Sequence, residues 1–370
     1  RLWLHGASLG ELTSARWLMV RLLGARPGLR LVITCNTETA RAMVQGWSLP
    51  DCDAVLAPFD TRGAVARFLA HWRPAALITL ENELWPERIA QATAAGVPVL
   101  WIGARLSPGS ARNWHRFARR LIRATLARVS LVSAQDAGSE ARLLALGLDA
   151  ARLGPRFMLK AKAGRDAPPA PPFALTHPRA AVLLAGSTHE GEEGPLLDAF
   201  AAQDRFGLLI LAPRHPQRGA EVAALVRARG LTLAIRSAGE VPDPQTRVYL
   251  ADTLGEMGHW YAMAGATMIG ATLVDRGGHT PFEPAAHGSA ILHGPSVANF
   301  AETFAALDAA GAALRVEDGA DLARVLRDLD EGEQTRLATA AAHLLLSPDP
   351  AEAGFLRALE GQLDAALNRA

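Results

Sequence analysis

Cysteine, lysine and long apolar runs are scarce in this chain, and each shortage excludes a class of protein. Two cysteines occur among 370 residues, Cys35 and Cys52. They cannot build a disulfide framework or a four-cysteine zinc site, and their spacing fits no metal motif, so both read as reduced thiols. No apolar run reaches the ~18 residues that span a bilayer, and no signal-peptide pattern opens the chain. The chain begins at Arg1 directly in a strand-like segment. We therefore expect that a preceding stretch, with any membrane anchor it carried, is missing. Net charge is also nearly absent: 38 Lys+Arg against 37 Asp+Glu leave +1, which names no partner and gives no reason to expect nucleic acid. What remains is a folding composition, 49% hydrophobic and 20% charged, outside the disordered range and long enough for two or three domains.

The charges are unevenly placed. Residues 1–160 hold 21 Lys+Arg and 11 Asp+Glu, whereas residues 161–370 hold 17 and 26. Opposite signs suggest two domains and an acidic partner for the first. The only lysines, Lys160 and Lys162, fall at the junction. Short apolar runs alternate with helical patterns. Strands are expected at 2–4, 29–34, 54–57, 76–80, 97–102 and 129–133, then at 180–185, 207–212, 231–235, 248–251, 266–269 and 290–293. That alternation predicts α/β domains with parallel sheets covered on both faces. The expected organisation is a first domain over 1–163, a proline-rich linker over 164–178, and a second domain over 179–370 whose final helix can pack back on the first. Both domains are expected to be doubly wound and Rossmann-like, facing a central cleft, with ligands beyond the carboxyl ends of strands.

Several segments in those positions carry chemistry. HGASLGE (residues 5–11) is strand, two-glycine turn and helix start, with Glu11 in the first helical turn. A carboxylate there can act as a general base, or simply complement the helix dipole. ENELWP (81–86) puts Glu81 and Glu83 just beyond an apolar strand, either aimed into a cleft or opening a helix. In AGSTHEGEE (185–193), backbone N–H groups can hold phosphate, while Ser187 or Thr188 can cap a helix with Glu190 or Glu192 behind. The GxxxxGK[ST] spacing of a P-loop is absent. Arg214, between Pro213 and Pro216, suits a phosphate or lies on the surface. In GGHTPFEP (277–284), Thr280, Pro281 and Glu283 match N-cap, N1 and N3 of a capping box. The two glycines before them allow close ligand approach, and Glu283 could bind ribose hydroxyls instead. Residues 112–129 read as one basic amphipathic helix, with Trp114, Phe117, Leu121 and Leu126 on its apolar stripe. Such a helix lies on an anionic membrane or turns its stripe to the core. His5, His189, His215 and His279 form no HxH or HExxH pair, so no metal site is expected.

Taken in order, HGASLGE, ENELWP, GSTHEGEE, LAPRHPQR, DTLGEM, GGHTPFEPAAHG and GPSVANF give a chain that resembles the 3-deoxy-D-manno-octulosonic acid (Kdo) transferases over about residues 1–315. The resemblance implies a GT-B glycosyltransferase of lipopolysaccharide biosynthesis in Gram-negative bacteria. The acceptor would bind the first domain and CMP-Kdo mainly the second, with no cofactor beyond that co-substrate and no metal. By motif position it implies Glu11 as catalytic base, with Glu81 and Lys160 stabilising the transition state. It implies donor contacts from Ser187, Thr188, Pro213, Arg214, Leu254, Gly255 and Glu256, and from Thr280, Pro281, Phe282 and Glu283. It further implies a lipid A precursor (lipid IVA) as acceptor, at the cytoplasmic face of the inner membrane. Asn82 and Thr280 depart from the family's ETELWP and GGHNPLEP patterns. Two other readings are open: a GT-B enzyme using another nucleotide sugar, such as a UDP-sugar 2-epimerase, or a membrane-associated homologue without activity.

Overall fold

Apolar runs of three to seven residues become strands, and each strand pairs with its neighbours in parallel. The structure, a computed structural model, describes residues 1–162, 170–347 and 350–369. It divides into two compact units, Arg1–Ala161 with Pro348–Ala370, and Lys162–Ser347.

The first unit holds β1 (Leu2–His5), β2 (Leu31–Cys35), β3 (Cys52–Leu56), β4 (Ala76–Leu80), β5 (Val99–Ala104) and β6 (Val129–Ala134), in the spatial order β3-β2-β1-β4-β5-β6. This is the doubly wound Rossmann order. β1 and β4 are buried throughout, as strands covered on both faces must be. The helix Leu9–Ala25 buries Leu12, Ala15, Leu18, Met19 and Leu22, one stripe of a 3.6-residue period. Truncating Leu18 there would cost about 2–5 kcal/mol. The last helix, Pro350–Leu367, also belongs to this unit: Phe355, Leu356, Leu359 and Leu363 join its core, and Phe355 stacks on Phe157 at 4.7 Å. The two cysteines occupy adjacent strands but opposite ends of the ladder, Cys35 opposite Leu56 and Cys52 opposite Leu31.

The second unit adds β7 (Val182–Thr188), β8 (Leu208–Pro213), β9 (Leu233–Ile235), β10 (Val248–Leu250), β11 (Ala266–Ile269), β12 (Ala290–His293) and β13 (Ala313–Arg315). Their order is β13-β12-β11-β7-β8-β10-β9. The strand order reverses between β1 and β4 in the first sheet, and between β7 and β11 in the second. Ligands of open α/β sheets bind outside the carboxyl ends at such points.

Three expectations change. The second domain, expected over 179–370, is the unit Lys162–Ser347, while the final helix packs with the first unit, as the sequence allowed. Of the expected linker, residues 164–169 lie outside the described residues, and 170–178 are irregular, with Phe173 buried against Tyr249. The expected single basic helix is two, Pro108–Phe117 and Arg119–Leu126, with Val129 already in β6. Ala118 leaves helical geometry there (φ −143°, ψ 32°). Ile122 and Leu126 enter the core, while Phe117 stays 74% exposed. Among the described residues, no helix is long and apolar enough to cross a membrane.

Candidate active site

The first cluster grows from the turn after β1. Gly6 fits closely there, since a Cβ would come 3.0 Å from Leu80 Cδ1 and 3.1 Å from Leu12 Cδ2 and would push on both side chains. Ser8 caps the following helix by accepting from Glu11 N–H at 3.4 Å, and Glu11 Oε2 accepts from Ala7 N–H at 2.7 Å. Glu11 thus closes a variant capping box that reaches back to the residue before the cap. The helix-start reading holds locally, yet the same carboxyl is only 8% exposed. Burial, followed by the charge of Glu81, pushes its pKa up to about 7, with Glu83 adding to the rise. The Ala7 N–H and Lys160 oppose that rise. A buried carboxyl beside like charge is where a base for neutral pH is made.

Glu81 follows β4 in a left-handed conformation, φ +42°. For a residue with a Cβ this costs about 1–3 kcal/mol and persists only where neighbours over-determine it. Here they do. The Glu81 carbonyl accepts from Trp101 Nε1–H (2.8 Å) and Arg105 N–H (3.1 Å), and its N–H donates to Ile102 O (3.1 Å). The buried carboxylate meets Lys160 Nζ at 2.9 Å. Neither Glu81 nor Glu83 opens a helix, which corrects that alternative: the next helix is Pro86–Ala94, with Glu87 in its first turn.

Beside them, fully buried His5 places Nε2 at 2.9 Å from Glu83 Oε2 and Nδ1 at 2.9 Å from Thr34 Oγ1. Burial lowers the His5 pKa despite its bond to Glu83. Burial alone would raise the Glu83 pKa, but hydrogen bonds from His5 and Trp85 take it below the ordinary value. The pair is therefore a neutral imidazole donating to a carboxylate.

In the second unit, the loops after β7, β8 and β11 converge. Ser187 is left-handed, φ +60°. Thr188 is buried and donates its hydroxyl to Glu193 Oε1 at 3.1 Å, so that hydroxyl is committed. Arg214 N–H donates to Thr188 O, following Pro213 at the end of β8, and the Arg214 side chain is exposed. Arg218 is tied up by Glu193 and Glu221, each at 2.7 Å. Buried Glu192 accepts four backbone N–H groups, from His189 (2.8 Å), Ala271 (2.7 Å), Thr272 (3.0 Å) and Leu273 (3.0 Å). It joins the loop after β7 to the loop after β11. His189 Nε2 lies 3.1 Å from His279 Nε2. Burial, with His215, Arg276 and Arg214 nearby, lowers the His189 pKa.

The remaining donor candidates sit on the same edge. Leu254 is exposed and Gly255 has φ +83°. The Glu256 carboxylate is held by Arg236 at 2.6 Å and by the Thr253 hydroxyl. Tyr261, on the helix Met257–Met263, lies over Gly186 and feels the charge of Glu283. The expected capping box is corrected. The helix is Phe282–Ala286, its N-cap is Pro281, and the Thr280 hydroxyl accepts from Phe282 N–H at 3.3 Å. Pro281 adopts φ −87°, ψ −5° outside the helix, which moves Glu283 to the second helical position. Gly277 and Gly278, at φ +81° and +76°, make the tight turn before it.

The family profile described as 3-Deoxy-D-manno-octulosonic-acid transferase (kdotransferase) matches residues 1–162. Over 342 residues the chain is 34% identical to the 3-deoxy-D-manno-octulosonic acid transferase of Bordetella pertussis, covering 85% of this chain and 76% of that one. The Haemophilus influenzae relative of the same name is 30% identical over 347 residues, with 90% and 80% covered. The chain belongs to the Kdo transferase family. Its fold is also that of Anabaena HepE, solved with UDP and glucose, at a TM-score of 0.63, with 12% identity and 98% and 99% of the two chains covered. That likeness shows the GT-B fold alone.

For a Kdo transferase, two features of this site escaped the sequence reading. Glu192 looked like a local cap, whereas it staples residues about 80 positions away. The His5–Glu83 pair links two motifs that the sequence keeps separate. Among the described residues, no three His, Cys, Asp or Glu side chains converge as a metal site requires.

Proposed function

We propose that this Kdo transferase moves Kdo from CMP-Kdo to a glucosamine hydroxyl of the lipid A precursor, with inversion. The observation that carries the reading is Glu11: a buried carboxyl titrating at about 7, in one cluster with the Glu81–Lys160 pair. In this mechanism, Glu11 takes the hydroxyl proton and the oxygen attacks the anomeric carbon of Kdo. The bond from that carbon to the CMP phosphate oxygen breaks, and CMP leaves with the electron pair. Arg214 and backbone N–H groups at the carboxyl edge of the second sheet receive the phosphate. The Kdo carboxylate is a second anion, suited to Lys160. CMP-Kdo is a co-substrate, and neither a metal nor another cofactor takes part.

The proposed workplace is the anionic cytoplasmic surface of the inner membrane. Two observations support it: Phe117 is 74% exposed, and Arg112, Arg116, Arg119, Arg120 and Arg123 are carried on the two helices around it. An apolar wedge among arginines suits an interface rich in anionic headgroups. The test is incubation with CMP-Kdo and lipid A precursor in mixed vesicles. Lipid-dependent CMP release supports the reading. Absence of release, with UDP rather than CMP raising the melting temperature, would favour a UDP-sugar enzyme of the same fold.

A further inference from the structure

His5, Thr34 and Thr79 form one row across three strands, His5 in register with Thr34 on β2 and with Thr79 on β4. The row is buried, and its polar atoms are chained in one direction. Trp3 Nε1–H donates to Thr34 Oγ1 at 2.8 Å, and Thr34 Oγ1 lies 2.9 Å from His5 Nδ1. His5 Nε2 lies 2.9 Å from Glu83 Oε2, which also accepts from Trp85 Nε1–H at 2.5 Å. Thr79 Oγ1–H donates to the Glu83 carbonyl at 2.7 Å. An ionised carboxylate only accepts, so His5 must carry its proton on Nε2 and accept at Nδ1 from the Thr34 hydroxyl. Each link from Trp3 Nε1 to Glu83 Oε2 then pairs a donor with an acceptor. Arg88 completes the surroundings. It is 2% exposed, its guanidinium lies 5.5 Å from the centroids of both the Trp3 and Trp85 rings, its Nη2 donates to Pro58 O at 3.2 Å, and its Nε and Nη1 have no hydrogen-bond partner among the described residues. A cation held there without a carboxylate bonded to it favours an ionised Glu83 and a neutral His5.

His5 opens the turn that carries Glu11, and Glu83 lies two residues beyond Glu81. Their hydrogen bond ties together the two segments that bear the site's carboxylates. We propose that His5 and Glu83 are positioning residues for the transfer reaction, clamping the Glu11 turn to the Glu81 turn without touching substrate. This inference rests on Glu11 being the base. It deepens that reading by naming what fixes the base in place. Glu83 contributes charge as well as geometry. Glu11 feels the charges of Glu81, Glu83 and Lys160, and Glu83 feels that of Arg88 besides its bond to His5. Removing the negative charge of Glu83 makes an ionised Glu11 easier to form, so the base stays active to lower pH.

The test compares Glu83→Ala, Glu83→Gln and Glu11→Gln by steady-state kinetics with CMP-Kdo and lipid acceptor across pH, with melting curves to verify folding. Glu83→Ala removes the clamp and should lower kcat about 100-fold while KM for either substrate stays within about twofold, since small misplacements of reacting groups cost rate rather than binding. Glu83→Gln keeps an acceptor oxygen for His5 and Trp85, so it should recover at least about tenfold of that loss. The acid limb of its kcat profile should move to lower pH. A Glu83→Ala protein with wild-type kcat overturns the inference, as does a Glu83→Gln protein whose acid limb stays in place. If Glu83→Ala fails to fold, the acid limb of Glu83→Gln decides alone. Glu11→Gln separates the two levels: wild-type transfer by that variant removes the base assignment itself, whereas its inactivity beside unaffected Glu83 variants removes only the clamp.

Discussion

Lys160 Nζ lies 2.9 Å from Glu81 Oε2, and Glu81 makes that contact from a left-handed backbone. The pair couples a strained residue after β4 to the short turn Leu159–Lys162, 79 positions along the chain. Strain that neighbours hold in place is characteristic of working sites. Here it sets a cation beside two buried carboxyls, one of which titrates at about 7.

Replacing that cation has a signed consequence. Lys160 opposes the rise in the Glu11 pKa, so Lys160→Met should raise it further and move the acid limb of kcat to higher pH. The same change removes a charge-assisted bond from buried Glu81 and should cost about 1.5–3 kcal/mol. A pH–rate profile and urea unfolding of the variant check both. A limb that moves to lower pH contradicts the geometry.

Glu11 also makes stability depend on pH. Its pKa rises from the ordinary 4.5 to about 7 on folding, so the folded state binds the proton more tightly. The resulting stabilisation is complete below pH 4.5 and is lost as pH climbs through 7. Glu11→Gln has no such loss. It should exceed the wild type in unfolding free energy by an amount on the order of 2–3 kcal/mol at pH 8, with the gap closing near pH 4.5. Urea unfolding at the two pH values measures it.

Glu192 is a sharper structural test. Its two oxygens each take two backbone N–H groups. Glu192→Gln turns one oxygen into an NH2 that faces donors. The expected cost is about 3 kcal/mol, with protection by CMP in a thermal shift assay weakened as the loops after β7 and β11 loosen. Unchanged melting would show that the four bonds contribute little.

At the proposed membrane face, Phe117 has little protein to pack against. Phe117→Ser should leave the melting temperature within about 2 °C, because surface changes seldom exceed ~0.5 kcal/mol. It should, however, reduce partitioning onto anionic vesicles several-fold. Equal partitioning of variant and wild type argues for another docking face.

Twelve of the thirteen strands were legible because buried parallel strands must be short continuous apolar runs, as 76–80 and 266–269 are; the three-residue edge strand β13 (Ala313–Arg315), only partly buried, gave no such run. Glu11 and Glu81 were legible by position, each just beyond such a run at a carboxyl end. Lys160 was placed only by resemblance to a family, since a turn 79 residues away carries no local mark of its partner. The break at Ala118 has no proline or glycine to announce it. The final helix joins the first unit through a Phe157–Phe355 stack that spans nearly two hundred residues, a pairing no local pattern encodes. Thr280 shows the opposite failure. A three-residue match to a capping box was locally convincing, and the position of Pro281 shifted the helix by one step.

Removal of the acceptor proton by Glu11 is the step on which the proposed transfer rests. The direct measurement is single-turnover transfer from CMP-Kdo to lipid A precursor by Glu11→Gln, with folding verified by circular dichroism and CMP protection intact. A loss of about 10²–10⁴ in the transfer rate is expected, the usual weight of a general base. A folded, CMP-binding Glu11→Gln protein that transfers Kdo at the wild-type rate would contradict it.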